Sequence, residues 1–323
     1  MAIVAESLAP GPPDRNNPEP MERPVLELVR ASRRLAGRVV VDALDLAVRR
    51  GEVLGLLGVN GAGKSTTLRM MAGVLAPTGG QVRLDGGDLR EQPWRARRHV
   101  GYLPEVPPLH AELTPLEYLR FCARLHAVGR RGVAAAVDRA IERCGLGEVR
   151  SRVMATLSKG WRQRVGIAQA IVHEPAVIVL DEPASGLDPV QAMKLRELVR
   201  GLGREHAVVV STHVLPDVAA CCDRAAILHR GVLRHAGPVA AAPGSHVLTT
   251  ARPLAEPAAL AGARSLERLD ALRWRVVLAD GATAEALAAA VVASGAGLAG
   301  LAAEEAPLEA TFLGIASGEA AAA

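Results

Sequence analysis

The sequence predicts an α/β fold: a mostly parallel, helix-covered sheet followed by a small α+β region. Short apolar runs at Val53–Leu57, 176–180, 207–210 and 225–229 carry almost no polar residue, the pattern of strands buried on both faces. Helical text separates them, and strands alternating with helices imply a parallel sheet. Past Gly237 the composition shifts towards Ala, Leu and Glu, which marks a second, smaller unit.

Taken in order, residues 1–23 are rich in Pro, Asn and charge and are expected to form a disordered tail. Residues 25–29 and 39–48 read as strands with a turn near Ala36-Gly37, and Val53–Leu57 feeds a Gly-rich loop. Helical text runs over 65–75 and stops before Pro77; residues 81–84 read as an edge strand ending in a Gly86-Gly87 turn. From 115 to 173 the period is mainly helical, broken around 153–160. The principal domain is expected over 24–239, with a helical subdomain at about 106–173. A small α+β domain follows over 240–318, with strands at 247–251 and 274–278, a helix at 283–294 and a tail at 319–323. Residues 286–303 are uncharged for eighteen positions, long enough for a membrane span. Ser294-Gly295-Ala296-Gly297 breaks that stretch, so a helix followed by a strand is expected instead. The apolar run at 2–5 is too short for a secretory signal.

Of 323 residues half are apolar, but only two Phe, three Trp and two Tyr occur. The core must therefore rest on Leu, Val, Ile and Ala. The net charge of +4 comes from 38 basic and 34 acidic residues spread along the chain; no nucleic-acid partner is expected from so mixed a surface. Arg95, Arg97 and Arg98 read as solvated surface. Cys122, Cys144, Cys221 and Cys222 show no metal-ligand spacing, fit a reducing compartment, and are expected to pack as small buried hydrophobes.

Gly58-Val59-Asn60-Gly61-Ala62-Gly63-Lys64-Ser65-Thr66 fits GxxxxGK[ST] between a strand and a helix. Its glycines let backbone N–H groups of Gly58, Asn60, Gly61, Ala62, Gly63 and Thr66 curl around phosphate oxygens. The helix start adds partial positive charge. Lys64 is expected on the β- and γ-phosphates and the Ser65 hydroxyl on Mg²⁺. The loop marks a P-loop nucleoside triphosphatase. Farther on, the apolar run 176–180 ends in Asp181-Glu182. Asp181 is placed to hold Mg²⁺, with a helix-capping role as the plainer alternative, and Glu182 to act as general base on the attacking water.

Leu157-Ser158-Lys159-Gly160-Trp161 narrows the class. With Leu103-Pro104-Glu105, Ser185-Gly186-Leu187-Asp188 and Ser211-Thr212-His213 it gives an order of motifs that resembles the ABC ATPases over about residues 25–235. These stand at that family's signature, Q-loop, D-loop and switch positions. The resemblance implies an ABC ATPase core with an antiparallel β subdomain and an α-helical subdomain, and ATP with Mg²⁺ as cofactors. It also implies two subunits, a homodimer or a pair, arranged head to tail. Ser158 and Gly160 of one would meet the γ-phosphate held by the other, His213 would hold that phosphate and the water, and Asp188 would couple the sites. A polytopic membrane permease is the expected partner, with this chain peripheral on the cytoplasmic face of the inner membrane. A soluble ABC ATPase acting on DNA or ribosomes would need a fused second cassette or long coiled coil. A non-hydrolysing module would lack Glu182 or Lys64.

The motifs depart from the family pattern in several places. Lys159 and Trp161 replace Gly and Gln of LSGGQ, and Glu105 replaces the Q-loop Gln. Glu105 is still expected on the Mg²⁺ water shell, and Lys159 to add charge near the dimer interface. Glu at the Q-loop with LSKG resembles the drug-, copper- and gliding-motility-type exporters. The adenine-stacking aromatic is replaced by Leu35; a missing stack forfeits about 1–3 kcal/mol, which implies weak discrimination between ATP and GTP.

Overall fold

The computed structural model describes residues 23–239, 245–254, 260–279, 281–303 and 308–317. Of the expected tails at 1–23 and 319–323, all but residue 23 lie outside the described residues. The chain opens with β1 (Pro24–Leu35), β2 (Arg38–Arg49) and β3 (Val53–Leu57). Next come α1 (Lys64–Met71), β4 (Gly79–Leu84), β5 (Gly87–Asp88), α2 (Pro93–His99) and β6 (Val100–Leu103). The helices α3 (Pro115–Leu125), α4 (Val133–Arg143) and α5 (Lys159–Ile171) lead to β7 (Val177–Asp181) and α6 (Pro189–Gly203). Then follow β8 (Ala207–Thr212), α7 (Leu215–Cys221), β9 (Arg224–His229) and β10 (Val232–Pro238). The remainder is β11 (Ser245–Thr250), β12 (Ala263–Arg268), β13 (Arg273–Leu278), α8 (Ala284–Ala293), β14 (Leu298–Ala303) and α9 (Leu308–Ser317).

The central sheet has the order β10-β9-β3-β8-β7-β6. All its pairings are parallel except β10 on β9. Alternate residues of each strand serve opposite faces. Ile178, Leu180, Val208 and Val210 join the core under the helices, with Leu119, Val137, Ile141, Val165 and Ile171. Val177, Val179, Val209, Leu54 and Leu56 join the opposite core, with Leu26, Leu28, Val41, Leu44 and Met71. That second core is shared with an antiparallel sheet of order β2-β1-β4-β5. Its first hairpin turns through Ala36 and Gly37, both at positive φ (46° and 79°), the two-residue geometry that follows strand twist.

Some elements escaped the reading of periodicity. β4 is not an edge strand: the two-residue β5 pairs with its outer side. β6 is only Val-Gly-Tyr-Leu, and a glycine inside so short a run hides the strand. That glycine is required, because a Cβ at Gly101 would run into the Ala170 carbonyl of α5. β10 carries polar residues and ends in Pro238, as an edge strand tolerates.

The appended unit is an antiparallel sheet of order β12-β13-β11-β14. Leu248, Trp274 and Val276 of the sheet pack with Leu287 and Val291 of α8. The uncharged stretch 286–303 thus divides into α8 and β14, and among the described residues no helix is long and apolar enough to cross a membrane. Finally α9 returns to the principal domain, where Leu308 and Ile315 form a separate small core with Leu57, Val218 and Ile227.

Candidate functional site

Parallel pairing aligns the strand ends that carry the motifs. Leu57 stands opposite Thr212, Asp181 opposite Ser211 and Leu103 opposite Leu180. Gly58, Glu182, His213 and Glu105 therefore leave one carboxyl edge of the sheet within a residue or two of each other. Open parallel sheets bind ligands at that edge.

A cavity of about 540 Å³ opens there. Of the predicted residues, Asn60, Gly61, Ala62, Gly63, Lys64, Ser65, Thr66, Glu105, Glu182 and His213 line it. Gly58 lies beneath the loop, where a Cβ would come within 2.6 Å of the Leu228 carbonyl oxygen. Gly63 caps α1 at φ 104°, and a Cβ there would sit 2.8 Å from the Val40 carbonyl oxygen. Only glycine fits that combination of angle and space. The helical bond into this turn runs from Thr67 N–H to Gly63 O. The amides of Lys64, Ser65 and Thr66 precede it and have no intrahelical acceptor.

Lys64 is 7% exposed. Its Nζ donates to Gly58 O at 2.7 Å and lies 3.5 Å from Glu182 Oε1. The other Glu182 oxygen is 2.9 Å from His213 Nδ1. Lys64, Glu182 and His213 thus form one polar chain across the cavity. Glu182 holds φ 47°, an uncommon angle for a non-glycine residue and one that concentrates at functional sites. Asp181 is 1% exposed and accepts from Ser211 Oγ at 2.6 Å, while Ser211 Oγ accepts from Glu182 N–H at 2.9 Å. Ser211 therefore ties both carboxylate-bearing residues to β8. Burial, with the negative charge of Asp181 nearby, pushes the Tyr102 phenol on β6 above its ordinary value.

The remaining predicted residues do not line the cavity. Ser158 caps α5, its Oγ accepting from Trp161 N–H at 3.4 Å. Asp188 caps α6, accepting from Gln191 N–H at 2.9 Å. Gly160 packs against α6: a Cβ would come within 3.1 Å of Gln191 Oε1. Leu35 sits at the end of β1, 38% exposed. Val59 and Ser185, quoted within their motifs but given no role, also line the cavity, as does Val40, which no motif named. Val40 follows the same hairpin as Leu35, so an apolar residue just past the turn was the available signal. For Ser211 the signal was a hydroxyl ending the run Ala207-Val208-Val209-Val210.

The donor set fits a magnesium nucleotide. Amides at a helix start and an ammonium suit phosphate, and the hydroxyl and carboxylate oxygens of Ser65, Glu105 and Asp181 suit a hard divalent cation.

Comparison with known proteins agrees with this chemistry. A family model described as ABC transporter matches residues 41–185. The chain is 39% identical over 212 residues to an uncharacterized ABC transporter ATP-binding protein, YhcH of Bacillus subtilis, covering 65% of this chain and 68% of that one. It is 35% identical over 195 residues to the bacitracin transport ATP-binding protein BcrA of Bacillus licheniformis, covering 60% of this chain and 63% of that one. The match thus spans about two thirds of each relative's length. A solved ATP-binding subunit of an ABC transporter superposes with TM-score 0.60 at 32% identity, over 67% of this chain and 90% of that one.

Proposed function

This chain belongs to the ABC transporter ATP-binding proteins, a family of Mg²⁺-dependent ATPases that work with a membrane permease, and from that premise we propose that it powers an exporter. The observation that carries the reading is the chain of Lys64, Glu182 and His213 in one cavity beside the phosphate-type loop. In it, Lys64 and the loop amides bind the β- and γ-phosphates, and Ser65, Asp181 and Glu105 hold the metal directly or through water. Glu182 takes the proton of the attacking water, with His213 against its other oxygen to orient it. Bound Mg²⁺ neutralises phosphate charge.

Two copies pair head to tail, so that Ser158 and the start of α5 complete the partner's site and Asp188 links the two. Residues 24–239 form the ATPase domain, with its helical subdomain at about 106–173; of the expected appended domain at 240–318, the sheet and α8 share a core of their own, while α9 lies against the ATPase domain. The chain sits peripherally on the cytoplasmic face of the membrane. A groove of about 430 Å³ beside the Q-loop, lined by Val106, Pro107, Leu109 and Met154, suits an apolar element of the permease. Val106, in that groove, is 80% exposed. A relative named for bacitracin transport makes a drug-like cargo the first to test, while the export direction rests on Glu105 together with the LSKG signature.

Release of phosphate from ATP by the purified chain checks the chemistry. Glu182→Gln should lower turnover by about 10²–10⁴-fold, the usual loss on removing a general base, while equilibrium binding of ATP persists. Unchanged turnover would remove Glu182 from the mechanism.

A further inference from the structure

We propose that the outer face of α3, with the loop into α4, binds the anionic headgroups of membrane lipids. This contact presupposes the peripheral position at the membrane proposed above, with the groove beside the Q-loop turned towards the permease. From Tyr118 to Val137 the chain carries Arg120, Arg124, Arg130 and Arg131 and no acidic residue. Over the whole chain the two signs nearly balance, 38 against 34. The flanking acids are committed elsewhere: Glu117 accepts from Thr114 at the start of α3, and Asp138 meets Arg150. Among the described residues none of the four arginines has an ion-pair partner within 4 Å.

Positions 120 and 124, like 121 and 125, are one helical turn apart and share a side of α3. On the opposite side Leu119, Cys122 and Ala123 are buried in the core under the helices. Phe121 and Leu125 therefore face outwards beside the arginines, 45% and 55% exposed. A cavity of about 620 Å³ opens beyond the end of the helix, lined by Arg124, Val128, Arg130 and Val133. The face also continues the groove. The Phe121 ring meets His110 edge-on, with centroids 6.0 Å apart, and His110 stands between Leu109 and Ala111, which line the groove. A permease seated there brings its surrounding bilayer to this side of the subunit. Guanidinium groups interleaved with apolar side chains suit a bilayer surface: the cations meet lipid phosphates while the apolar groups enter the headgroup layer. Free phosphate would satisfy the arginines but leave Phe121 and Leu125 in water.

Sedimentation of the full chain with phosphatidylcholine vesicles, and with vesicles that also carry phosphatidylglycerol, reads the contact directly. The chain should bind the anionic vesicles alone and leave them in 1 M salt, where charges are screened beyond about 3 Å. Inorganic phosphate at matched ionic strength should not displace it; displacement would assign the arginines to a free anion. Arg124→Gln with Arg130→Gln should weaken vesicle binding by up to about 30-fold and leave ATP hydrolysis by the free chain unchanged. Arg234→Gln with Arg264→Gln removes the same charge from exposed positions on β10 and β12 and should weaken binding by less than about threefold. Equal losses in the two double variants, equal binding to neutral vesicles, or no binding to either kind would overturn the proposal. Membranes isolated from cells that make the chain hold permease and lipid together. A chain found on those but not on lipid vesicles would overturn the lipid contact and leave the peripheral position standing; a chain on neither would remove both.

Discussion

The two ends of the nucleotide cavity are built on different physical terms. At the phosphate end, Gly58 and Gly63 are each closed in by a carbonyl of another strand, Leu228 and Val40, and Lys64 and Glu182 are almost buried. At the other end the Val40 side chain lines the cavity just past a two-residue hairpin turn, and Leu35, the proposed base contact, stands outside the lining on the strand before that turn, substantially exposed. The phosphate end is held by backbone geometry that accepts one residue type. The base end is a surface that accepts many. Recognition in this chain should therefore be strict for the triphosphate and lax for the base.

Opposite responses to substitution sharpen that contrast. Gly63→Ala forces an unfavourable φ and a contact with the Val40 carbonyl, a strain of about 1–3 kcal/mol. Nucleotide affinity in an equilibrium titration should fall by about five- to 150-fold if the strain is relieved only by moving the loop. Affinity within twofold of the unaltered chain would show that the loop adapts and would break the comparison. Leu35→Tyr adds a ring face at the open end and should raise affinity for ATP and GTP alike, by at most about 1–3 kcal/mol. A strong preference of the unaltered chain for ATP over GTP, or no gain from the tyrosine, would show that the base is read by other groups, with Val40 the first to test.

Much of this was legible in the residues because the motifs sit at strand ends, and strands buried on both faces announce themselves by uninterrupted apolar text. Val53–Leu57 and Val177–Asp181 are such strands, and their alignment in a parallel sheet brings Lys64 and Glu182 together. β6 was not legible, since Gly101 answers a tertiary constraint from α5 that periodicity cannot express. Nor was the role of Ser211, whose single hydroxyl bridges Asp181 and Glu182 across two strands. The capping duties of Ser158 and Asp188 were hidden for the opposite reason: each residue has a local task in its own subunit that is compatible with a task across an interface. The return of α9 to Leu57 and Val218 depends on packing between distant segments and left no local signal.

A site shared between two copies is most directly tested by mixing variants that are each inactive alone. Lys64→Ala removes the phosphate ligand and Ser158→Arg obstructs the signature, so neither homodimer has a working site. In a mixed dimer one site keeps an intact Lys64 from one copy and an intact Ser158 from the other. With random two-fold pairing, an equal mixture should recover up to about a quarter of the unaltered ATPase rate. A mixture no more active than the two variants measured separately would contradict the shared site.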